Sequence, residues 1–157
     1  MGFKEIAMIV VGLILAGILA LAIAPSISAS GDSTKASVLN SELESVASAG
    51  KMWMVNNTTS GTFTGINAVA MANNLPNLVA TGTGATSIFT SKVVGAITYT
   101  VVAATSGSTD DSMKITMTGL TGGSAIETSI KNALIAKYLT GNVVNTTPGT
   151  IVVTIRG

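Results

Sequence analysis

No cysteine and no histidine occur in the 157 residues. Their absence excludes disulfides, thiol chemistry, the usual zinc ligand sets, and every acid–base relay or triad that runs through an imidazole. Charge is scarce too: 10% of the residues are Asp, Glu, Lys or Arg, against roughly 25% in an average soluble domain. Eight basic residues against seven acidic ones leave a net charge of +1, which is no footprint for a nucleic-acid backbone. Aromatics make up 4%, too scattered for an electron-conducting stack. What the chain does have is apolar: 47% of it is hydrophobic, and the mean hydropathy is +0.61. The length suits one domain of ordinary size.

The apolar excess is concentrated near the start. Ile6 to Ala24 (IAMIVVGLILAGILALAIA) is a run of 19 residues without a charged or polar side chain. As a helix it spans about 29 Å at ~1.5 Å per residue, close to the ~30 Å hydrocarbon core of a bilayer. Its apolar residues cover every face, so lipid or other copies of the chain must surround it. Three readings compete. A cleavable secretory signal has an apolar core of roughly 7–15 residues after a basic start. Here the core is longer and Lys4 is cancelled by Glu5, although small residues at Ser28–Ala29–Ser30 offer a cleavage site. A plain transmembrane anchor fits the length but leaves Glu5 without a role. In the third reading, the carboxylate at the edge of a spanning segment has a partner. With Met1 as a free N-terminus, that partner is the α-ammonium of an adjacent, axially displaced copy, and the pair sets the register. Against this, Glu5 pairs with its own Lys4 or lies among headgroups. Gly12, Ala16, Ala20 and Ala24 fall at four-residue spacing, a groove for close helix approach, though small residues are common in apolar helices anyway.

Met1, Glu5, an unbroken apolar helix and Pro25 near its end together resemble a mature type IV pilin. Met1 rather than Phe in first place is similar to the type IVb subclass. The resemblance implies a leader removed by prepilin peptidase, with possible N-methylation of Met1. It also implies a homopolymeric helical filament, and partners in an inner-membrane assembly platform, an assembly ATPase and a secretin. The subunit is then expected in the inner membrane before assembly and in an extracellular pilus afterwards. Lys4 stands where the family usually has an apolar or small residue, and Pro25 lies a few residues later than the family's usual proline. Type IVb heads usually carry a disulfide that ties down the C-terminal region. Without cysteine, the C-terminal strands here are expected to rely on sheet pairing alone.

Beyond the apolar run, Pro25, three serines and Gly31 form a breakable hinge over 25–31, with a non-helical stretch expected within about residues 22–32. Ala36, Leu39, Leu43, Val46, Gly50 and Trp53 alternate at spacings of three and four, which predicts an amphipathic helix over 32–55 with Trp53 as a core anchor. Asn56 to Gly61 reads as a turn cluster, 66–73 as a short helix, and Leu78–Thr90, rich in Thr and Gly, as a surface loop. Alternation over Val93–Ala104 and Ser112–Leu120 predicts a hairpin with its turn at Ser106–Asp111. Ser124-x-x-Glu127 has capping-box spacing and opens a helix through Leu139. Val143–Val144 and Thr150–Arg156 predict a second hairpin.

No motif adds up to a catalytic centre. Asp110–Asp111 reads as a turn, having too few oxygen ligands nearby for Ca²⁺. Glu42 and Glu44 read as a solvated helix face, and Gly119-x-x-Gly122–Gly123 as a loop without the phosphate-binding context. Asn56, Asn57 and Asn145 each start an N-x-Thr acceptor pattern for N-glycans.

The expected fold class is therefore α+β. A long N-terminal helix protrudes with its apolar half (1–24) and packs its amphipathic half on an antiparallel sheet. The remainder, 32–157, forms a pilin-like head with additional short helices. The expected function is a structural subunit of a type IVb-like pilus, without enzymatic activity, cofactor or metal, whose assembly residues are Met1, Glu5, Gly12, Ala16, Ala20, Ala24 and Pro25. The alternatives are a monomeric membrane-anchored binding domain, with a ligand in the 74–92 loop, and a minor or secretion-system pilin-like subunit.

Overall fold

A computed structural model describes residues 31–57, 62–104 and 112–157. Helix α1 (Asp32–Asn57) enters first, followed by the short α2 (Ala68–Met71). Strands β1 (Leu78–Thr81), β2 (Ile88–Ser91), β3 (Thr98–Ala103) and β4 (Ser112–Thr118) come next. Helix α3 (Ala125–Tyr138) then leads to β5 (Val143–Thr147) and β6 (Thr150–Arg156). The six strands form one antiparallel sheet in the order β1-β2-β3-β4-β6-β5.

The expected fold class is corrected by this architecture. The helix described here begins at Asp32, and no helix among the described residues is long and apolar enough to cross a membrane. The sheet has six strands, two more than the two expected hairpins supply. Helix α3 has 14 residues and packs along α1, so the two form one layer. Met1, Glu5, Gly12, Ala16, Ala20, Ala24 and Pro25 lie outside the described residues, as do Asp110–Asp111 and the turn around them. The expected break within 22–32 falls there too, except for Gly31 and Asp32.

The surface loop expected over Leu78–Thr90 is largely two strands. Threonine reads as loop material by polarity, but its β-branched side chain suits a pleated, half-buried surface. Leu78, Phe89 and Ser91 point inward and are buried, which fixes the register of this edge hairpin. Only the segment from Gly82 to Ser87 remains as its turn.

One face of the sheet carries the core. Phe89, Tyr99, Met117 and Ile151 form one inward row across four strands, and Val101, Ile115, Val153 and Val143 form the next. Ala36, Leu39, Leu43 and Val46 of α1, with Ile130 and Leu134 of α3, pack against these rows. The other face bears Thr98, Thr100, Thr116, Thr118 and Lys114, with Thr98 and Thr118 joined hydroxyl to hydroxyl at 2.7 Å.

Gly50 of α1 lies against Met113 of β4. A Cβ added there would lie 2.4 Å from Met113 Sδ. Glycine in a helix interior ordinarily costs about 1 kcal/mol relative to alanine; here it permits the close crossing of helix and strand. Gly50→Leu is expected to destabilise the protein by about 2–3 kcal/mol through overpacking, measured as a fall in the urea midpoint of the full chain. Gly50→Ala should yield none of the usual helix-propensity gain.

Candidate functional site

Two buried carboxylates stand out in a domain with so few charges. Glu42 lies on α1 between Leu39 and Val46 and is 7% exposed. Its Oε1 accepts from Ser91 Oγ of β2 at 2.8 Å and its Oε2 accepts from the Tyr99 hydroxyl of β3 at 2.7 Å. The Ser91 oxygen accepts from the backbone N–H groups of Val93 and Val94, which leaves its own proton for Glu42. Helix and sheet are thus cross-linked through one carboxylate. Burial pushes the Glu42 carboxyl above its ordinary range, opposed by the two hydroxyl donors. Burial also raises the Tyr99 hydroxyl, helped by the adjacent Glu42 charge.

The solvated face expected for Glu42 and Glu44 therefore divides. Glu44 is half-exposed and pairs with Lys137 of α3 at 2.9 Å, a solvent-screened surface contact. Glu42 sits on the flank of the apolar arc, close to Val46 and Ala49 in helical projection. That flanking position was the available signal, but its partners lie 49 and 57 residues away.

Glu42 is also among the residues lining a groove of about 260 Å³ between α1 and the 74–78 segment. Val38, Pro76, Leu78 and Val93 give it apolar walls, while Ser41 and Ser45 stand exposed at its rim. Lys92 sits beside the groove, its ammonium donating to the Pro76 carbonyl. Among the described residues, Glu42 has no basic partner.

The second carboxylate belongs to the predicted capping box. Ser124 Oγ accepts from the Glu127 N–H at 3.2 Å, as the spacing implies. The Glu127 side chain does something else. Its Oε2 accepts from Gly123 N–H, while its Oε1 takes both the Asn145 side-chain amide and the Gly149 N–H at 2.7 Å each. Asn145 belongs to β5 and Gly149 to the turn joining β5 to β6, so the start of α3 is clasped to the last hairpin. The C-terminal strands are held by this clasp as well as by sheet pairing, which corrects the expectation of pairing alone. The Asn145 amide, Gly123 N–H and Gly149 N–H hold the Glu127 carboxyl below its ordinary range. Gly149 has φ +82°, and a Cβ there would lie 2.3 Å from the Leu120 carbonyl oxygen, so the clasped turn accepts no other residue without strain.

The glycan-acceptor patterns also separate. Asn145 spends its amide on Glu127 and on the Thr150 carbonyl at 3.0 Å, which gives it a structural role. Asn56 is exposed in the last turn of α1. Trp53 is half-buried and packs against the core. Among the described residues, no three His, Cys, Asp or Glu side chains gather as a metal site. The structure brings none of the predicted assembly residues together, because all of them lie outside the described residues. No protein-family model matches this chain, and no curated protein or solved structure is similar to it.

Proposed function

We propose that this chain is the structural subunit of a type IV-like surface fibre. The observation that carries the reading is Glu5 at the edge of a 19-residue run, Ile6–Ala24, with no polar side chain. Such a run must be covered by lipid or by copies of itself, and the acid at its edge calls for a cation. In this reading the segment holds the subunit in the inner membrane and then transfers from lipid into the fibre core, with the heads outside. Burial of the whole run is worth tens of kcal/mol gross at ~25 cal/mol per Å², before association and ordering costs. Prepilin peptidase, an assembly platform, an ATPase and a secretin belong to this proposal, as does N-methylation of Met1. The head supports a passive, structural role: its two most buried acids serve as internal ties, one between helix and sheet and one between helix and turn.

The test is negative-stain microscopy of material sheared from the cell surface, with the subunit identified by mass. Long fibres built of this chain are the expected result. A detergent-soluble monomer would replace the proposal with a membrane-anchored binding domain. Fibres built of another chain, with this one as a trace component, would make it a minor subunit.

A further inference from the structure

A carboxylate buried without a counter-charge is expensive. Glu42 is 7% exposed, and its bonded partners are two neutral hydroxyls, Ser91 of β2 and Tyr99 of β3. Among the described residues, no cation reaches it from the elements packed around it. On α1 itself, Glu44 turns to Lys137 of α3. Between β2 and β3, the Lys92 ammonium donates to the Pro76 carbonyl. The 74–78 segment brings Asn74 and Asn77 as its polar side chains, neither of them charged. Tyr99 is the titratable group in contact, and burial keeps its hydroxyl protonated.

We propose that Glu42 is a proton-operated latch between α1 and the sheet. The protonated carboxyl holds the middle of α1 on β2 and β3, and loss of the proton makes that part of the helix lift more often. The latch does not depend on the fibre reading.

The two protonation states differ in charge more than in bonding. A protonated carboxyl keeps acceptor capacity beside its one O–H, so the Ser91 and Tyr99 protons retain an acceptor in either state. The ionised form adds a buried charge that two hydroxyls offset only in part. When the helix lifts, water solvates that charge, so ionisation draws the equilibrium toward the lifted state. Burial is the largest influence on this carboxyl and raises it above 4.5, against the two hydroxyls that pull it down. The seated helix is therefore most secure below 4.5. It loses stability as pH rises from there through the raised value.

The architecture makes the opening local. Helix α3 lies against α1, β5 and β6, which braces the other side of the sheet. At β2 and β3 the tie from α1 is Glu42 itself. The groove of about 260 Å³ alongside, with Ser41, Ser45, Asn74 and Asn77 in its lining, lets water enter once the helix moves.

The experiment uses the full chain in detergent micelles. The Glu42 carboxyl carbon is followed by NMR from the acid side of pH 4.5 to neutral pH, and amide hydrogen exchange is measured over the same range. Comparing wild type with Glu42→Gln at each amide cancels the intrinsic pH dependence of exchange, because glutamine stays neutral. The expected midpoint lies above 4.5. The ratio of wild-type to Glu42→Gln exchange rates over 39–46 and at Ser91 should climb by up to about tenfold per pH unit until that midpoint, then level off. At neutral pH these amides should also exchange faster than those of β4, the mark of a local opening. Tyr99→Phe removes a donor that favours the charged form, so it should move the midpoint further up. A wild-type midpoint at or below 4.5, or a rate ratio that does not change with pH, overturns the latch. So does equal exchange in α1 and β4 at neutral pH, which would make the opening global.

Discussion

Glu127→Ala lowers the stability of the domain by about 2–4 kcal/mol, the cost of removing a charged acceptor from several donors and leaving some of them unpaired. The Gly149 N–H is buried and has this carboxylate as its acceptor, so the alanine variant strands it. Loss is concentrated where the clasp acts: hydrogen exchange accelerates first over 143–156, while the amides of β3 keep their relative protection. Glu127→Gln keeps one carbonyl oxygen but faces the Gly123 N–H or the turn with an amide donor, and loses less. The pH dependence follows from the direction of the shift. The folded state holds the Glu127 carboxyl below its ordinary value of 4.5, so its stabilising contribution is complete above that value. It drains away as pH falls through the lowered folded value. The difference in urea midpoint between wild type and Glu127→Gln should therefore shrink between neutral pH and the acid side of pH 4.5. Glu42 works in the opposite sense. Its carboxyl is raised, so its protonated form is favoured by folding and its ionisation opposes folding as pH rises. A gap to Glu127→Gln that stays constant down to strong acid would remove the clasp as a charge effect.

Glu5→Val abolishes fibre formation under the proposed function while leaving membrane insertion unaffected. Valine makes the start of the apolar run more favourable to lipid, so synthesis and insertion proceed. Assembly is different, because a neighbour's cation then enters an apolar core unpaired. Breaking one partner of a buried ion pair costs about 3–5 kcal/mol. At about 1.4 kcal/mol per tenfold, that lowers incorporation by a hundredfold or more at each addition. In cells producing both forms, fibres should consist almost wholly of wild-type subunits, as read by mass. Normal fibre yield from Glu5→Val alone would sink the pairing. The same experiment separates register from hydrophobic adhesion, since valine adds apolar surface and loses only the charge.

The parts of the domain that local pattern governs could be read from the sequence. The apolar stripe of α1 reaches from Ala36 to Trp53 at helical spacing, and Ser124 and Glu127 mark the start of α3 through a contact only three residues apart. Met113, Ile115 and Met117, and Ile151, Val153 and Ile155, alternate and are buried as alternation implies. The fold class failed in the strand count, because the expected sheet held two hairpins and the sheet has six strands. Whether two hairpins merge into one sheet depends on β4 pairing with β6, whose partners Met113 and Ile155 are distant in sequence. The edge strands β1 and β2 were hidden by threonine and glycine content, which marks a turn and an exposed strand alike. Both buried acids were seen as residues, but their chemistry comes from partners that no spacing rule supplies. Asn145 and Gly149 lie 18 and 22 positions from Glu127.

The order of strands sets a timetable for biosynthesis. β6 is the last of the six to leave the ribosome, yet it occupies a position inside the sheet, between β4 and β5. Until it arrives, β4 exposes an open edge with Met113, Ile115 and Met117 uncovered, and β5 has no strand beside it. The non-local pairing that closes the sheet is slow relative to local helix formation. While the sheet is incomplete, that edge is a template for wrong partners. Every nascent chain therefore passes through a stage in which the β4 edge is open, and a low local concentration of other copies favours its correct closure by β6.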